Sequence, residues 1–310
     1  MSSGPNVGVI GLGAMGLPMA LRLSERFATR GFDPVVDRRE AASAAGVSPA
    51  STVAEAVREA DVVLLATRDR QQSEAALFGP SGAVGSLPAG ATVVLTGTVG
   101  QSAALDIGGR LRSAGYGVVD APVSGGPVRA GKGELLIVVG APTEDLSAAM
   151  PVLEQLATRV EVVGERWGDG QLMKAVNQLL AGVHIAAAAE AIALAQAAGL
   201  DAESVVRVLS EGAAASFMLS DRGPRMAALV GGADVPVASR VDIFVKDLGI
   251  VAELAARAGT PIPVASAAEH LFRIADAAGL GARDDSSVIL PLLRAATSPR
   301  RRNTEREKNS

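Results

Sequence analysis

The segment Val7-Gly8-Val9-Ile10-Gly11-Leu12-Gly13-Ala14-Met15-Gly16 joins a short apolar run to a turn with three spaced glycines. The apolar run predicts a buried strand, and the residues from Met15 onward predict a helix. In such a turn Gly11 permits the tight bend, Gly13 lets backbone approach a pyrophosphate, and Gly16 lets the helix pack closely on the strand. The first N–H groups of the helix would then face the phosphates. Any glycine-rich turn can match this spacing, but the strand and helix around it favour a dinucleotide site that comprises Gly11, Leu12, Gly13, Ala14, Met15 and Gly16.

Short apolar runs continue to alternate with helical patterns through the first half of the chain. This alternation predicts βαβ units and a parallel sheet. The predicted strands are Val7–Ile10, Thr29–Phe32, Val62–Ala66, Thr92–Leu95, Val118–Asp120, Leu135–Val139 and Val160–Val163. The predicted helices between them include Met15–Arg26, Ala50–Ala60 and Ser102–Ala114.

From Gly168 onward the sequence shows helical periodicity only, with further helices predicted at Ala202–Glu211, Val241–Ala258 and Val264–Ala278. One pattern runs to about Ala198 and stops at Gly199, which predicts a helix of roughly 30 residues, or about 45 Å. Its expected buried face consists of Leu172, Val176, Leu179, Leu180, Val183 and Ala187. We therefore predict an α/β Rossmann-type domain over residues 1–165 and an all-α domain over residues 166–296, joined by a long interdomain helix, with a disordered tail over residues 297–310.

Composition excludes several classes of function. The 310 residues carry a net charge of −4, which gives no electrostatic reason to expect nucleic acid or an anionic membrane as partner. There is no cysteine, and the only histidines are His184 and His270, so we predict no metal site. The start Met1–Asn6 has no basic region or cleavage site, and Ala181–Ala198 is too rich in small residues to predict a span. We expect a soluble, cytoplasmic protein.

Asp33 closes the second predicted strand about 20 residues after the glycine turn, where an acid accepts hydrogen bonds from ribose hydroxyls. A carboxylate there repels a 2′-phosphate, so the sequence favours NAD over NADP. Asp33 could instead be a turn residue before Pro34. Arg38 and Arg39 lie close enough in sequence to attract a phosphate.

Lysine is scarce: of 29 basic residues only Lys132, Lys174, Lys246 and Lys308 are lysines. Arginine keeps its proton near neutral pH, whereas a desolvated lysine can release it. Codon bias explains the scarcity equally well for any single lysine. The context of Lys174, at the apolar start of the long helix, favours a proton-transfer role, with burial lowering its pKa.

Four ordered motifs resemble those of the β-hydroxyacid dehydrogenase family, which includes 3-hydroxyisobutyrate dehydrogenase. They are Gly11–Ala20, Asp120–Gly126, Gly170–Lys174 followed by Asn177-Gln178, and Lys246–Gly249. The resemblance covers Val7 to about Ile289 and implies NAD-dependent oxidation of a small hydroxy acid.

The resemblance also implies roles for individual residues. Lys174 would be the catalytic residue, Thr98 and Lys246 would bind the cofactor, and Gly97 departs from the family's usual serine. The substrate would be bound by Ser124, Gly125, Gly126, Asn177 and Gln178. Ser124–Gly126 is also a suitable backbone nest for a carboxylate, although a plain glycine-rich loop has the same pattern.

Further segments resemble the branch of this family that oxidises four-carbon sugar acids, namely Val176–Ile185, Val241–Gly249 and Asp284-Asp285. His184 is better explained as a core or interface histidine than as a substrate ligand. Phe217 resembles a pocket aromatic that a partner subunit can supply, with core packing as the competing interpretation. The long helix suggests a homodimer or homotetramer. An imine reductase and a cofactor-binding module without turnover are the alternatives. Imine reductases usually replace the catalytic lysine, and such modules lose either that lysine or the serine of the nest, whereas this sequence has both Lys174 and Ser124.

Overall fold

The computed structural model describes residues 4–297, with side chains through residue 293. The predicted disordered tail therefore lies outside the described residues, apart from Thr297, which ends a helix. The chain divides into two compact units, Met1–Asn177 and Gln178–Ser310, and the division falls inside a helix.

The first unit contains a nine-stranded sheet whose parallel part has the order β3-β2-β1-β4-β5-β6. Strand order reverses at β1, which is the point where α/β sheets bind ligands beyond their carboxyl ends. β8 pairs antiparallel with both β6 and β7, and parallel with β9. The strands are β1 (Val7–Ile10), β2 (Thr29–Phe32), β3 (Ser48–Pro49), β4 (Val62–Leu65), β5 (Thr92–Leu95), β6 (Gly117–Asp120), β7 (Val123–Ser124), β8 (Leu135–Gly140) and β9 (Ala157–Gly164). The Rossmann-type prediction is confirmed, and the two-residue strands β3 and β7 were missed.

Apolar side chains cover both faces of this sheet. In β4, Val62 and Leu64 belong to one core cluster, whereas Val63 and Leu65 belong to the other. Parallel strands buried on both faces read as continuous apolar runs, which is why the sequence predicted them well. The helices of this unit are α1 (Gly16–Ser24), α2 (Val36–Ala44), α3 (Val53–Val57), α4 (Arg70–Phe78), α5 (Gln101–Ser113), α6 (Gly126–Lys132) and α7 (Thr143–Leu156).

The long helix is α8 (Asp169–Ala197), which has 29 residues and runs from the first unit into the second. Gly199 follows its end with a φ of 89°, a conformation that glycine adopts without strain. Among the described residues, α8 alone is long and apolar enough to span a bilayer, and half of its most apolar window is buried in the protein, as in a core helix.

The predicted buried face of α8 is wrong at four of its six positions, since Leu179 and Val183 are half-buried and Val183 packs against the core of the second unit. Leu172, Val176 and Leu180 are exposed, Leu180 by 52%. The helix instead buries mainly small and polar residues, together with Ile185 and Ile192; the small and polar ones include Gln171, Lys174, Ala175, Gln178, Ala181 and Ala189. The large apolar residues do form a stripe along α8, but this stripe is mostly exposed. Small residues face the core because they allow neighbouring segments to approach closely. In the second unit, for example, the Leu248 side chain lies against Gly182.

The second unit is helical, and its described residues contain no strand, only an isolated bridge between Arg240 and Asp284. A single apolar cluster forms its core, in which Phe244 stacks on Phe272 with 5.0 Å between ring centroids. After α8 come α9 (Ala202–Glu211), α10 (Phe217–Val230), α11 (Val241–Ala258), α12 (Pro263–Ala275), a π-type segment (Asp276–Leu280), a 3-10 helix (Asp285–Ile289) and α13 (Leu290–Thr297). The all-α prediction for this region is confirmed.

We expect Gly16→Ala to destabilise the first unit. A Cβ at this position would lie 1.8 Å from the Gly11 carbonyl oxygen, so α1 would have to move away from β1. Overpacking of this kind lowers the free energy of unfolding by about 1–3 kcal/mol. Urea titration of the variant and of the unmodified protein measures this difference. Gly109→Ala in α5 is the control, since a Cβ there meets no atom within 4 Å and a gain of about 0.5–1 kcal/mol is expected. Equal stabilities of the two variants would contradict this account.

Candidate functional site

The glycine turn after β1 has the geometry that a pyrophosphate site requires. Gly11 has a φ of 98°, and a Cβ there would lie 2.6 Å from the Ala66 carbonyl oxygen. Gly13 is open, with the Arg38 Nη1 atom 3.8 Å from its Cβ position as the nearest atom. The first N–H groups of a helix lack partners within the helix, and α1 begins immediately after this opening. The turn therefore fits a dinucleotide phosphate.

Leu12 and Asp33 connect this turn to the end of β2. The Leu12 side chain is buried, and its N–H donates to the Asp33 Oδ2 atom at 2.8 Å. The Val35 N–H donates to Asp33 Oδ1 at 2.9 Å, and Arg38 Nη1 lies 3.3 Å from Oδ2. The Asp33 carboxylate thus connects the glycine turn after β1 to the loop after β2, and the exposed Arg38 guanidinium lies beside it.

Gly97 and Thr98 lie in the loop after β5. A Cβ at Gly97 would lie 2.3 Å from the Thr67 carbonyl oxygen, so this chain requires glycine where the resemblance predicts serine. The departure noted in the sequence therefore has a steric cause. Thr98 is half-buried next to it.

Ser124, Gly125 and Gly126 connect the end of β7 to the start of α6. Gly125 has a φ of 140° and Gly126 a φ of 77°, backbone conformations that favour glycine at both positions. A Cβ at Gly126 would meet nothing within 4 Å, which leaves this side of the loop open. Open glycine turns of this kind can present backbone N–H groups to an anionic group.

Lys174 is buried, with 8% of its surface exposed, in the first turns of α8. Sequence reasoning missed the residue that holds this end of the helix. Asp120, at the end of β6, is fully buried, and its Oδ2 atom accepts the N–H groups of Gly168 and Gln171, both at 2.9 Å. The only feature of the sequence that indicated a role for Asp120 was its place as the first residue of the motif Asp120–Gly126.

The environment of Asp120 shifts its ionisation. Burial raises the pKa of this carboxyl from 3.8 to about 6, against the hydrogen bonds from Gln171 and Gly168, which lower it. The neighbouring Asp169 carboxylate raises the pKa further. Asp120 is therefore charged at neutral pH but close to protonation in mild acid.

In the second unit, Gln178 and Lys246 meet at one carboxylate. Gln178 Nε2 donates to Asp247 Oδ2 at 2.6 Å, and Lys246 Nζ lies 2.7 Å from Asp247 Oδ1. The structure thus joins the motif that ends in Asn177-Gln178 to the motif Lys246–Gly249. Asp247 itself was not predicted as a site residue, although it lies in the quoted motif. Asn177, the last residue of the first unit, is half-buried.

Phe217 and His184 differ in environment. Phe217 begins α10 and is 62% exposed, so the interpretation as a core residue of this chain is wrong. His184 is half-buried within α8.

Asp284 and Asp285 form a buried ionic cluster in the second unit. Arg225 Nε lies 3.0 Å from Asp284 Oδ1, and Arg222 Nη2 lies 2.9 Å from Asp285 Oδ2. Burial favours a higher pKa for Asp284, but hydrogen bonds from Ser286 and the Ala238 N–H, with the Arg225 charge, bring that pKa below its ordinary value. Burial raises the pKa of Asp285 despite Arg222. The pair clamps the 3-10 helix onto α10. Residues 4–297 hold no group of three or more His, Asp or Glu arranged for a metal.

Two family models match the chain. The NAD-binding domain of 6-phosphogluconate dehydrogenase matches residues 6–164. The model described as NAD-binding of NADP-dependent 3-hydroxyisobutyrate dehydrogenase matches residues 168–292.

The matches to individual relatives cover nearly the whole chain. The L-threonate dehydrogenase of Cupriavidus necator is 41% identical over 285 residues, which are 92% of this chain and 95% of that protein. The L-threonate dehydrogenase of Escherichia coli K12 is 39% identical over 290 residues, with 92% and 93% covered. The crystal structure of a 3-hydroxyisobutyrate dehydrogenase from Salmonella typhimurium superposes with a TM-score of 0.85 at 35% identity, covering 92% of this chain and 99% of that one. An imine reductase from Pseudomonas shares the fold at 22% identity, with a TM-score of 0.62 and 93% and 99% covered.

We expect the ionisation of Asp120 to weaken the fold as pH rises. The folded-state pKa of about 6 lies above the ordinary 3.8, so the folded protein binds the proton more tightly than the unfolded chain does. The stability that this proton adds is fully present below pH 3.8 and is lost as pH rises through about 6.

The measurement is the free energy of unfolding of the unmodified protein and of Asp120→Asn at several pH values. Between pH 5 and pH 7 the unmodified protein should lose about 1 kcal/mol relative to the variant. A change of the opposite sign would mean that the hydrogen bonds outweigh burial.

Proposed function

Because the chain belongs to the β-hydroxyacid dehydrogenase family and is a nicotinamide-dependent oxidoreductase acting on CH–OH groups, we propose that it oxidises L-threonate to 2-dehydro-L-erythronate with NAD. The observation that carries the proposal is the buried Lys174 at the start of α8, in a chain whose similar relatives are L-threonate dehydrogenases.

We assign proton transfer to Lys174. As the substrate C–H bond breaks, its hydride leaves, and the hydroxyl proton passes to the neutral Nζ amine of Lys174 while the C–O bond becomes a carbonyl. Bound NAD supplies the hydride acceptor. Lysine suits this role because its amine can exist without the proton, which arginine cannot do near neutral pH.

The remaining assignments follow from chemistry and position. We propose that Ser124, Gly125 and Gly126 hold the substrate carboxylate and that Asn177 and Gln178 serve the hydroxyl groups. A polyhydroxy acid needs such polar partners, whereas a methyl-bearing acid would favour apolar ones. We assign cofactor binding to the backbone of Gly11–Gly16 together with Asp33, Thr98 and Lys246.

The preference for NAD over NADP rests on Asp33. Its buried carboxylate lies at the end of β2, where a 2′-phosphate would add a second negative charge. Arg38 offsets part of that repulsion, since its guanidinium lies against the same carboxylate. We therefore expect discrimination between the cofactors to be finite rather than absolute.

The assay that tests the proposal is NADH absorbance with NAD and a panel of L-threonate, D-erythronate, 3-hydroxyisobutyrate and glycerate. L-Threonate should give the highest kcat/KM. A higher value with 3-hydroxyisobutyrate, or reduction of tartronate semialdehyde as the dominant activity, would replace the substrate assignment within the same family. NAD binding without turnover of any of these acids would favour a cofactor-binding module, and turnover of a cyclic imine would favour an imine reductase.

We also propose that the protein acts in the cytoplasm as a homodimer or homotetramer. The exposed apolar stripe of α8 and the exposed Phe217 support association, because large apolar side chains gain stability when a partner covers them. Light scattering after size-exclusion chromatography measures the mass. A monomer at micromolar concentration would overturn this part of the proposal.

We expect Lys174→Ala to lower kcat by about 10²–10⁴-fold, since general-base catalysis contributes factors of this size. Lys174→Arg should fail to restore activity, because a guanidinium keeps its proton. The Kd for NAD, measured by fluorescence titration, should change less than about threefold. The exposed Lys132→Ala is the matched control and should retain full activity. Normal turnover by Lys174→Ala would disprove the assigned role.

We expect Arg38→Ala to raise the preference for NAD. The change removes the cation beside Asp33, so kcat/KM with NADP should fall about tenfold while that with NAD changes little. Arg30→Ala, in β2 and paired with Glu59, is the control and should leave the ratio unchanged. An unchanged ratio in Arg38→Ala would place the 2′-phosphate away from this arginine.

A further inference from the structure

The first turn of α8 is capped by a side chain from the sheet rather than by its own sequence. The N–H groups of Gly168 and Gln171 both donate to Asp120 Oδ2 at 2.9 Å. These groups belong to the helix start, where N–H groups lack partners within the helix. A carboxylate also complements the positive end of the helix. Asp120 therefore fixes the axial position of α8 on β6.

The Gln171 side chain uses its complete hydrogen-bonding capacity. Its Oε1 atom accepts the N–H groups of Val99 at 2.9 Å and Gly100 at 3.0 Å. Its Nε2 atom donates to the Gly97 carbonyl oxygen at 3.0 Å and to Asp120 Oδ1 at 2.8 Å. An amide has two acceptor and two donor positions, so all four are satisfied here with only 1% of the residue exposed.

These bonds join three segments of the candidate site inside the first unit. The loop of Gly97–Gly100 carries Thr98, β6 leads into the nest of Ser124–Gly126, and α8 carries Lys174. Lys174 lies three residues after Gln171, which is less than one helical turn and about 4.5 Å along the axis. Movement of Gln171 would therefore move Lys174 by a similar amount.

The start of α8 packs closely against β6 and β8 at Gly170. A Cβ at Gly170 would lie 2.9 Å from the Asp120 carbonyl oxygen and 3.0 Å from both Asp120 Oδ2 and the Val138 carbonyl oxygen. Backbone and carboxylate already touch the helix at this point. The hydrogen bonds and the close packing act on the same turn.

We propose that Gln171 and Asp120 are positioning residues that set the place of the Lys174 amine relative to the Thr98 loop and the Ser124–Gly126 nest. The inference rests on the proposed function of Lys174. Neither residue exchanges a proton with the substrate. Their effect comes through geometry, because a displacement of about 1 Å costs on the order of 10²-fold in rate.

The test exploits the direction of the amide–carboxylate bond. Gln171→Glu places an oxygen against Asp120 Oδ1, and Asp120→Asn places an amide against the Gln171 amide, so each single variant loses the bond. The double variant D120N/Q171E restores the bond in reverse, because the introduced amide at position 120 donates to the introduced carboxylate at position 171. The double variant also keeps acceptors for the four N–H groups of Val99, Gly100, Gly168 and residue 171. Like Gln171→Glu, it lacks a donor to the Gly97 carbonyl oxygen, so the expected recovery is partial.

Activity is measured with L-threonate and NAD. In each single variant kcat should fall by about 10–100-fold, while the KM for L-threonate and the KM for NAD change less than about threefold. The double variant should recover at least tenfold over Gln171→Glu. If Gln171→Glu does not fold, Gln171→Met, which keeps the volume and leaves Asp120 its two backbone donors, takes its place with the same expected split between kcat and KM.

Asp145→Asn is the matched control. Asp145 is also a buried carboxylate bonded to β6, through the Val118 N–H at 2.9 Å and through Arg112, but at the opposite end of the strand. This variant should lower the melting temperature as Asp120→Asn does and leave kcat unchanged.

Two outcomes would overturn the inference: single variants with normal kcat, or a double variant no better than Gln171→Glu. Lys174→Ala is measured in parallel. If it is inactive while the Gln171 variants are normal, the proposed function stands and only the positioning role fails. If Lys174→Ala is active, the proposed function fails first.

Discussion

Asp120, whose carboxylate is buried at the end of β6, accepts two N–H groups at the start of α8, and this contact fixes where α8 begins on the sheet. α8 carries Lys174 in its first turns and continues into the second unit as its first helix. Its axial position is therefore set at one end, by Asp120 and Gln171. A fully bonded amide in a dry environment is highly directional, because any displacement leaves a buried polar group without a partner.

Close approach of backbone segments is the second constraint. At Gly11, Gly16, Gly97 and Gly170 a side chain would overlap a carbonyl oxygen of a neighbouring segment. Three of these glycines lie at or beside the segments assigned to cofactor and substrate, where the loops converge. The same constraint accounts for Gly97, because the Thr67 carbonyl oxygen leaves no room for a side chain there.

Some residues that carry the family resemblance proved to be structural in this chain. Asp284 and Asp285 are buried against Arg222 and Arg225, and removal of one partner from such a cluster leaves an uncompensated charge. Asp247 joins Gln178 to Lys246, so a motif assigned to the cofactor also organises a residue assigned to the substrate. A motif in the sequence therefore does not separate ligand-binding residues from the residues that hold them.

The sequence by itself determined the parallel sheet, the glycine turn, the length of α8 and the helical second half, because each depends on local periodicity or on the conformational freedom of glycine. Only the tertiary structure decided which face of α8 is buried. Large apolar residues marked one face, but the core took the face with small and polar residues, since close packing and hydrogen bonds act between segments distant in sequence. The partners of Asp120 and Gln171 arise in the same way, from residues up to 74 positions apart, and no local pattern encodes such distances.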